Sequence, residues 1–336
     1  MVENEKKEIE GKKVLTVGLG KSGIAAASAL KSLGAVVSVY DGKESDEKKA
    51  WAAENGFHVS FGPCPDPVAG YDMLVLSPGV PTDADYVREA QEAGAEITGE
   101  LELAYRYGNG KYIAITGTNG KTTISYLLKA IVDEWGKECG VLGTIAYVYG
   151  GQRFESVNTT PESFELQRMF AEMHQKYATD VCAMEVSSHS LALSRTDDIS
   201  FDYGVFTNLT PDHMDFHKDF EDYFNAKKKL FLQTRKGNVI NVDDPYGKRL
   251  YDELLKEGKN VKSCAVEDED AYYRANVLEK SVSGSRAEIF AGGHKLGELK
   301  INTPGTFSVE NAIGAVGVTL EAGIPWEAVK AGIEKT

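Results

Sequence analysis

One short segment, Thr116–Thr123, restricts the possible fold of this chain more than any other feature of its sequence. The segment reads Thr-Gly-Thr-Asn-Gly-Lys-Thr-Thr. The apolar run Tyr112–Ile115 before it predicts a β-strand, and the helical spacing of apolar residues in Ile124–Trp135 after it predicts an α-helix. The two glycines allow phosphate oxygens to approach the backbone, while successive amides and the helix N-terminus supply positive partial charge. The sequence therefore predicts a phosphate-binding loop that binds ATP.

Within this loop, Lys121 is expected to reach the β- and γ-phosphates, and the hydroxyl of Thr122 is expected to bind Mg²⁺. The standard spacing of such loops would place a glycine at position 115, where this chain has Ile115. We therefore interpret the loop as a compact variant. The ATP contacts expected from the loop are Gly117, Thr118, Asn119, Gly120, Lys121, Thr122 and Thr123.

A second glycine-rich loop lies near the N-terminus, between the apolar runs Val14–Val17 and Val36–Tyr40. Gly18–Gly23 has the spacing Gly-x-Gly-x-x-Gly, and Asp41 follows the second run, as in the fingerprint of dinucleotide-binding domains. Three interpretations stay open: an NAD site with Asp41 on the ribose, glycines that serve only the turn and its packing, or a Rossmann-like domain that holds another nucleotide diphosphate. The NAD interpretation is the least favoured, because nothing later in the chain resembles a hydride-transfer site.

Three apolar runs in the second half of the chain, each too short for a helix, end in polar residues: Glu185, Thr207-Asn208 and Asn241–Asp244. Alternating strands and helices predict a parallel sheet, in which ligands bind beyond the carboxyl ends of the strands. Glu185 is a candidate Mg²⁺ ligand, because hard cations prefer oxygen. His213 and His217 have a spacing that can bind zinc on a helix, but no third soft ligand is placed with them, so we favour Mg²⁺.

The composition limits the partners and the compartment. A formal net charge of −14 argues against nucleic acid or an anionic membrane as the main partner. The charged start of the chain lacks the apolar stretch of a signal peptide, and no apolar run is long enough to span a bilayer. The four cysteines are scattered without a C-x-x-C pair, which is typical of reduced thiols. We predict a cytoplasmic protein without membrane insertion.

The turn-rich segment Tyr107–Lys111 predicts a domain boundary. We predict an α/β protein with a Rossmann-like domain at 1–108, followed by a P-loop-type parallel-sheet ATPase domain at 109–336. Near the end of the chain, Glu288–Phe290 and Leu299–Ile301 are predicted as strands flanking a Gly-Gly turn, and Val309–Ala322 as a helix.

Taken together, the motifs resemble those of the Mur ligases, the ATP-dependent amide-forming enzymes of peptidoglycan precursor synthesis. The segments after Lys111 are similar to MurE, the third enzyme of the series: Gly117–Thr123, Asn158–Ser163, Met184–His189, Thr207–His217 and Tyr223–Phe231. Three segments of the first hundred residues are similar to MurD, the D-glutamate-adding enzyme: Gly18–Gly23, Leu76–Pro81 and Ile97–Ala104. The chain thus resembles a MurD-like first domain joined to a MurE-like ATPase domain.

The resemblance implies roles for individual residues. The catalytic residues it implies are Lys121, Glu185, His213 and Lys227, with Thr122, Glu185, His213 and Lys227 around Mg²⁺. Lys227 lies where the family carries a CO₂-modified, carbamylated lysine. Asn208, Asp243 and Asn311 would contact adenosine. The implied contacts to the UDP-muramoyl-peptide are Gly20, Ser22, Asp41, Ser77, Gly79, Asn158, Thr159, Thr160, Ser187 and Arg195. Leu193 and Ser308 depart from the family pattern, which has glutamine and asparagine there.

The activity implied by the resemblance is addition of L-lysine or meso-diaminopimelate to UDP-MurNAc-L-Ala-D-Glu through an acyl phosphate. The MurD-like first domain keeps D-glutamate addition to UDP-MurNAc-L-Ala open as an alternative. A third domain, which carries the amino-acid site in the family, is expected to be missing after Thr336. A module that binds ATP and the UDP-precursor without full turnover is therefore a further alternative, and we expect a monomer.

Overall fold

The structure is a computed structural model that describes residues 9–63, 65, 67–77, 79–99, 110–197, 199–211 and 216–336. The side chains of Lys21, Ser22, Phe164 and Gln175 lie outside this description. The chain divides into two compact units, Met1–Asn109 and Gly110–Thr336. The functional roles assigned to the two predicted domains stay predictions.

The first unit contains a five-stranded parallel sheet in the order β3-β2-β1-β4-β5. Its strands are β1 (Lys13–Val17), β2 (Val36–Asp41), β3 (His58–Phe61), β4 (Met73–Leu76) and β5 (Glu96–Gly99). Its helices are α1 (Lys21–Ser32), α2 (Asp46–Glu54) and α3 (Asp85–Glu92).

Successive side chains of β1 pack on opposite faces of the sheet, because side chains alternate in direction along a strand. Val14 packs in a cluster with Leu30 of α1 on one face of the sheet. Leu15 packs in a cluster with Val87 of α3 on the other face. The strand order reverses between β1 and β4, so the glycine loop that follows β1 lies at the switch point of the sheet, where doubly wound folds bind ligands.

The second unit contains an eleven-stranded sheet in the order β16-β15-β14-β13-β12-β11-β6-β10-β7-β8-β9. Its central strands are parallel: β6 (Lys111–Thr116), β7 (Cys139–Leu142), β10 (Val181–Glu185), β11 (Tyr203–Phe206), β12 (Gly237–Asn241), β13 (Val261–Ala265) and β14 (Tyr273–Ser281). Antiparallel pairs extend it at both ends, through β8 (Tyr147–Tyr149), β9 (Gln152–Phe154), β15 (Gly284–Ala291) and β16 (His294–Ile301).

The helices described in this unit are α4 (Lys121–Glu134), α5 (Ser163–Gln175), α6 (Ser188–Ala192), α7 (Phe220–Gln233), α8 (Pro245–Lys256), α9 (Thr306–Glu321) and α10 (Trp326–Lys335). Residues of α4, α9 and α10 share the largest buried cluster with the central strands. A Cβ atom on Gly332 of α10 would lie 2.4 Å from Cα of Ile131 in α4, so glycine permits this close helix packing. None of the described helices combines the length and the apolar character that crossing a bilayer requires.

The predicted fold class is confirmed, and so is the predicted hairpin. Gly292 and Gly293 have φ values of +55° and +81° in the turn between β15 and β16, a conformation that favours glycine at both central positions. The antiparallel pairs β7–β8, β8–β9 and β14–β15 were not predicted. β14, for example, reads Tyr-Arg-Ala-Asn-Val-Leu-Glu-Lys-Ser and is exposed over much of its length, so it lacks the continuous apolar run of a buried strand.

Candidate functional site

The phosphate loop adopts a backbone that glycine permits at two positions. Gly117 has φ +147° and Gly120 has φ +89°. A Cβ atom on Gly117 would lie 1.8 Å from Oγ1 of Thr207, and one on Gly120 would lie 2.2 Å from Oδ1 of Asn311. Both glycines are therefore required by close approach as well as by φ. The second contact places Asn311, at the start of α9, directly beside the loop.

The carboxyl end of β11 holds the other side of the loop. The amide of Thr118 donates to the main-chain oxygen of Asn208 at 2.9 Å, and the amide of Asn119 donates to Oδ1 of Asn208 at 3.0 Å. Oγ1 of Thr207 donates to the main-chain oxygen of Asn119 at 2.6 Å. Asn208 therefore shapes the phosphate loop. Its expected contact with adenosine stays a prediction.

Two lysines converge on one main-chain oxygen of the loop. Nζ of Lys121 donates to the oxygen of Gly117 at 2.9 Å and to that of Thr118 at 3.0 Å. Nζ of Lys227, in α7, donates to the same oxygen of Gly117 at 3.0 Å. Lys227 is only 2% exposed and lies 4.7 Å from the ring centroid of Tyr223. The structure thus brings two lysine side chains to the main-chain oxygen of Gly117 in the loop.

Glu185 ends β10, next to the strand that leads into the loop. Its carboxylate is buried, and it accepts hydrogen bonds from the amide of Thr144 at 3.2 Å and from the hydroxyl of Thr144 at 2.9 Å. No cationic side chain pairs with it in the part of the chain that the structure describes. A buried carboxylate without a counter-ion is unfavourable. Glu185 therefore fits a divalent cation with oxygen ligands.

The residues predicted to contact the muramoyl-peptide lie around Glu185. Oγ1 of Thr160 donates to the main-chain oxygen of Glu185 and accepts from the amide of Ser187, each at 3.0 Å. Nη1 of Arg195 donates to the main-chain oxygen of Thr160 at 3.3 Å. Oγ1 of Thr159 lies 3.1 Å from Oγ1 of Thr144. The structure therefore brings most of the predicted peptide contacts together at the carboxyl end of β10.

Asn158 enters this arrangement through its backbone, because its main-chain oxygen accepts a hydrogen bond from the hydroxyl of Tyr147 at 2.6 Å. Leu193, where the family pattern has glutamine, is 54% exposed. Ser308 donates from Oγ to the main-chain oxygen of Pro304 at 2.8 Å. His213 lies in the segment 212–215, outside the described residues.

A cavity opens beside the loop, between the carboxyl ends of β11 to β13 and the helix α9. Its lining residues are Ile124, Val205, Phe206, Thr207, Asn208, Asn241, Cys264, Glu310, Asn311 and Gly314. Asp243, predicted to contact adenosine, does not line it. Its two carboxylate oxygens accept hydrogen bonds from the amides of Val266, Glu267 and Asp268 at 2.6 to 3.2 Å. The carboxylate of Asp243 therefore holds the turn after β13.

In the first unit, the predicted ligand residue Asp41 braces the glycine loop. Its carboxylate accepts hydrogen bonds from the amides of Leu19 and Lys43, both at 2.8 Å, and lies 2.7 Å from Nζ of Lys48. Burial opposes ionisation of Asp41, but the hydrogen bonds from Lys48, Lys43 and Leu19 outweigh it and lower the pKa of this carboxyl.

Ser77 is brought to the same loop, since its Oγ donates to the main-chain oxygen of Gly18 at 3.2 Å. Gly18 has φ +100°, and a Cβ atom there would lie 2.4 Å from Oγ of Ser77. Gly20 and Gly79 are surrounded by open space, since a Cβ atom on either would meet no heavy atom within 4 Å. The side chain of Ser22 lies outside the described part of the chain.

Sequence reasoning missed the roles of Thr144 and Tyr223 in organising the site, and it considered His217 only as a possible zinc ligand. Thr144 holds Glu185, and the hydroxyl of Tyr223 lies 3.2 Å from Oγ1 of Thr118 in the loop. His217 is buried beside Tyr223, with Nδ1 3.1 Å from the carboxylate of Asp222. The sequence signal that could have indicated Thr144 was the Gly143-Thr144 pair after an apolar run. The structure shows why glycine stands there, because a Cβ atom on Gly143 would lie 2.2 Å from Oε1 of Glu185.

Comparison with known proteins gives two family matches. The Mur ligase middle domain matches residues 115–319, and the Mur ligase MurD-like, N-terminal domain matches residues 12–99. The UDP-N-acetylmuramoyl-L-alanyl-D-glutamate--2,6-diaminopimelate ligase 1 of Clostridium acetobutylicum is 45% identical over 226 residues, covering 67% of this chain and 45% of that protein. The corresponding ligase of Clostridium perfringens is 35% identical over 307 residues, covering 88% of this chain and 61% of that protein. The chain thus spans about half the length of the curated relatives it matches.

Among solved structures, a UDP-N-acetylmuramoyl-L-alanyl-D-glutamate--2,6-diaminopimelate ligase aligns with a TM-score of 0.63 at 22% identity, covering 98% of this chain and 61% of that one. A pseudomurein peptide ligase type C from Methanothermus fervidus aligns with a TM-score of 0.54 at 20% identity, covering 97% of this chain and 70% of that one. At these identities the likeness concerns the fold alone.

Proposed function

The chain belongs to the Mur ligase family, and we propose that it serves the ATP-dependent ligation of an amino acid, meso-diaminopimelate or L-lysine, to UDP-MurNAc-L-Ala-D-Glu in peptidoglycan precursor synthesis. One observation carries the proposal. Lys121 and Lys227 converge on Gly117, next to the buried carboxylate of Glu185 on the adjacent strand. That combination suits transfer of a phosphoryl group, in which catalysis consists mainly of positioning and of stabilising negative charge.

The proposed reaction has two steps. A carboxylate oxygen of the UDP-MurNAc-peptide attacks the γ-phosphorus of ATP, the bond to the β,γ-bridging oxygen breaks, and ADP leaves. The amine of the amino acid then attacks the acyl phosphate, loses a proton, and expels inorganic phosphate. Lys121 and the N-terminus of α4 would stabilise charge on the transferred group. Thr160, Ser187 and Arg195 would hold the peptide, so that orientation lowers part of the barrier.

Thr122, Glu185 and His213 would hold Mg²⁺. When bound, the ion neutralises charge on the phosphates and acts as a Lewis acid. The proposal is supported by the buried state of Glu185 and by its lack of a cationic partner among the described residues. Replacing Glu185 with Gln should weaken Mg²⁺-dependent ATP binding, which isothermal titration at several Mg²⁺ concentrations would measure.

Carbamylation of Lys227 belongs to the same proposal. Its support is the burial of the side chain, which is 2% exposed, because desolvation favours the neutral amine that reacts with CO₂. In that reaction a nitrogen–carbon bond forms and one proton is released. Growth of a carbamate carbon signal on addition of ¹³C-bicarbonate, absent in Lys227→Ala, would test it. An unchanged spectrum at saturating bicarbonate would contradict it.

Addition of D-glutamate to UDP-MurNAc-L-Ala is the second candidate, favoured by the MurD-like match at residues 12–99. A binding module without turnover is the third. Trapping of acyl phosphate with hydroxylamine separates the three. Hydroxamate from UDP-MurNAc-L-Ala-D-Glu alone supports the first, and hydroxamate from UDP-MurNAc-L-Ala alone supports the second. Binding of ATP and precursor without any hydroxamate supports the third. A cytoplasmic location and a monomeric state are also proposals, the latter measurable by light scattering.

A further inference from the structure

One carboxylate in the cavity beside the phosphate loop has no assigned role. Glu310 lies in the first turns of α9, next to Asn311, whose side chain packs against Gly120 of the loop. It lines the cavity with Asn208 and Asn241. No hydrogen bond or ion pair involves its side chain in the described parts of the chain. Glu310 is therefore an acceptor that faces a cavity without a donor of its own.

The surroundings of Glu310 make its ionised carboxylate unfavourable as long as no ligand is bound. Burial, and then the negative charges of Asp243, Glu267 and Asp244, raise the pKa of Glu310 above its ordinary value. Lys280 is the cation that acts on it, and the Nζ atom of Lys280 lies 3.3 Å from Oγ1 of Thr306. Asp243 is already satisfied by three backbone amides. Glu310 thus differs from its acidic neighbour in having unused hydrogen-bonding capacity.

The position of Glu310 indicates which part of a nucleotide it would meet. The amides and the lysine that suit phosphates lie at Gly117–Lys121, and none of these residues lines the cavity that Glu310 faces. A carboxylate repels phosphate but accepts hydrogen bonds from hydroxyl groups. Phe307, three residues earlier on the same helix and therefore on a neighbouring surface position, is 73% exposed. An exposed aromatic ring one helical turn from Glu310 favours an organic ligand over a bare metal ion.

We propose that the Glu310 carboxylate accepts a hydrogen bond from a ribose hydroxyl of the nucleoside triphosphate and so makes the site selective for ribonucleotides. The inference rests on the proposed function, because it assumes that ATP phosphates bind the loop. It adds a specificity-determining residue to that site. Hydrogen bonds to a charged group contribute about 1.5–3 kcal/mol, which corresponds to about 10- to 140-fold in affinity.

Equilibrium binding measures this directly, without turnover. Isothermal titration of the wild-type chain with ATP, 2′-deoxyATP and 3′-deoxyATP, in excess Mg²⁺, should show ATP bound about 10-fold or more tightly than at least one deoxy analogue. In Glu310→Ala that ratio should fall to about one, and Glu310→Gln, which keeps the shape of the side chain, should give an intermediate ratio. Glu269→Ala removes the same charge from an exposed position between β13 and β14 and should leave the ratio unchanged.

Three outcomes would overturn the inference. The wild-type chain could fail to discriminate between ATP and the deoxy analogues, or Glu310→Ala could discriminate as well as the wild type. Loss of Mg²⁺ binding by Glu310→Ala in the absence of nucleotide would instead mark a metal site. Failure of all variants to bind either ATP or its analogues is a different result. It would contradict the proposed function itself, and this inference with it.

Discussion

Nζ of Lys227 donates a hydrogen bond to the main-chain oxygen of Gly117 at 3.0 Å, although the two residues are 110 positions apart in the sequence. Lys121 donates to the same oxygen at 2.9 Å. The helix α7 is thereby joined to the phosphate loop at the point where the two lysine side chains meet. Changes at Lys227 should therefore affect the chemistry of the loop more than the stability of α7.

Replacing Lys227 with Ala should lower ligation, or hydroxamate formation, by about 100-fold or more, because it removes a charged group from the phosphoryl site. The fold should persist, as circular dichroism and thermal unfolding would show. Lys229→Ala is the matched control, since Lys229 is exposed on the same helix. Undiminished activity in Lys227→Ala would exclude both the electrostatic and the carbamate role.

Replacing Gly117 with Ala should destabilise the second unit by about 3 kcal/mol or more, because the added methyl would lie 1.8 Å from Oγ1 of Thr207 at a φ of +147°. Gly136→Ala is the control. Gly136 also has a positive φ, +73°, but a Cβ atom there would meet no heavy atom within 4 Å. Its cost should be about 1 kcal/mol. Urea unfolding measures both, and equal costs would show that the loop adjusts to the methyl group.

Replacing Asp41 with Asn should destabilise the first unit near neutral pH, because Leu19, Lys43 and Lys48 lose an ionised acceptor. The pKa of Asp41 is lowered from 3.8 in the folded state. The stability it contributes is therefore present above 3.8 and is lost as the pH falls through the folded value.

Thermal unfolding of wild type and Asp41→Asn from neutral to acidic pH tests this. The difference between the two should shrink below 3.8, the ordinary pKa of Asp. Asp83→Asn, at an exposed position of the same unit, should follow the wild type throughout. A difference that is independent of pH would mean that the charge of Asp41 does not support the loop.

Replacing Glu310 with Gln should stabilise the ligand-free chain at neutral pH. The pKa of Glu310 is raised above 4.5 by burial and by neighbouring carboxylates, so the folded state favours its protonated form. Its contribution to stability is fully present below 4.5 and is lost as the pH rises through the folded pKa. Melting temperatures of the variant and wild type should therefore converge in acid, and a higher melting temperature for the wild type at neutral pH would refute this.

The local sequence determined the parts of this protein that depend on neighbours in the chain. The glycines and lysine of the phosphate loop, between a strand and a helix, could be identified because dihedral preference and periodicity are local properties. The apolar run Val14–Val17 and the predicted strand Leu299–Ile301 end at the residues where the structure ends β1 and β16. The membership of the chain in the Mur ligase family also followed from contiguous motifs, and the family matches confirm it.

Only the tertiary structure decided which predicted residues meet and which of their atoms are already engaged. The order β11-β6-β10 brings Asn208, the loop and Glu185 side by side, although Asn208 and Asn119 are 89 positions apart. Asp243 looked like a ligand residue, yet its carboxylate is satisfied by the turn after β13. Glu310 could not be identified as a site residue from the sequence, because a glutamate on a helix is ordinarily solvated. Hydrogen-bond partners and burial depend on atoms that distant strands and helices bring together, and no local pattern records them.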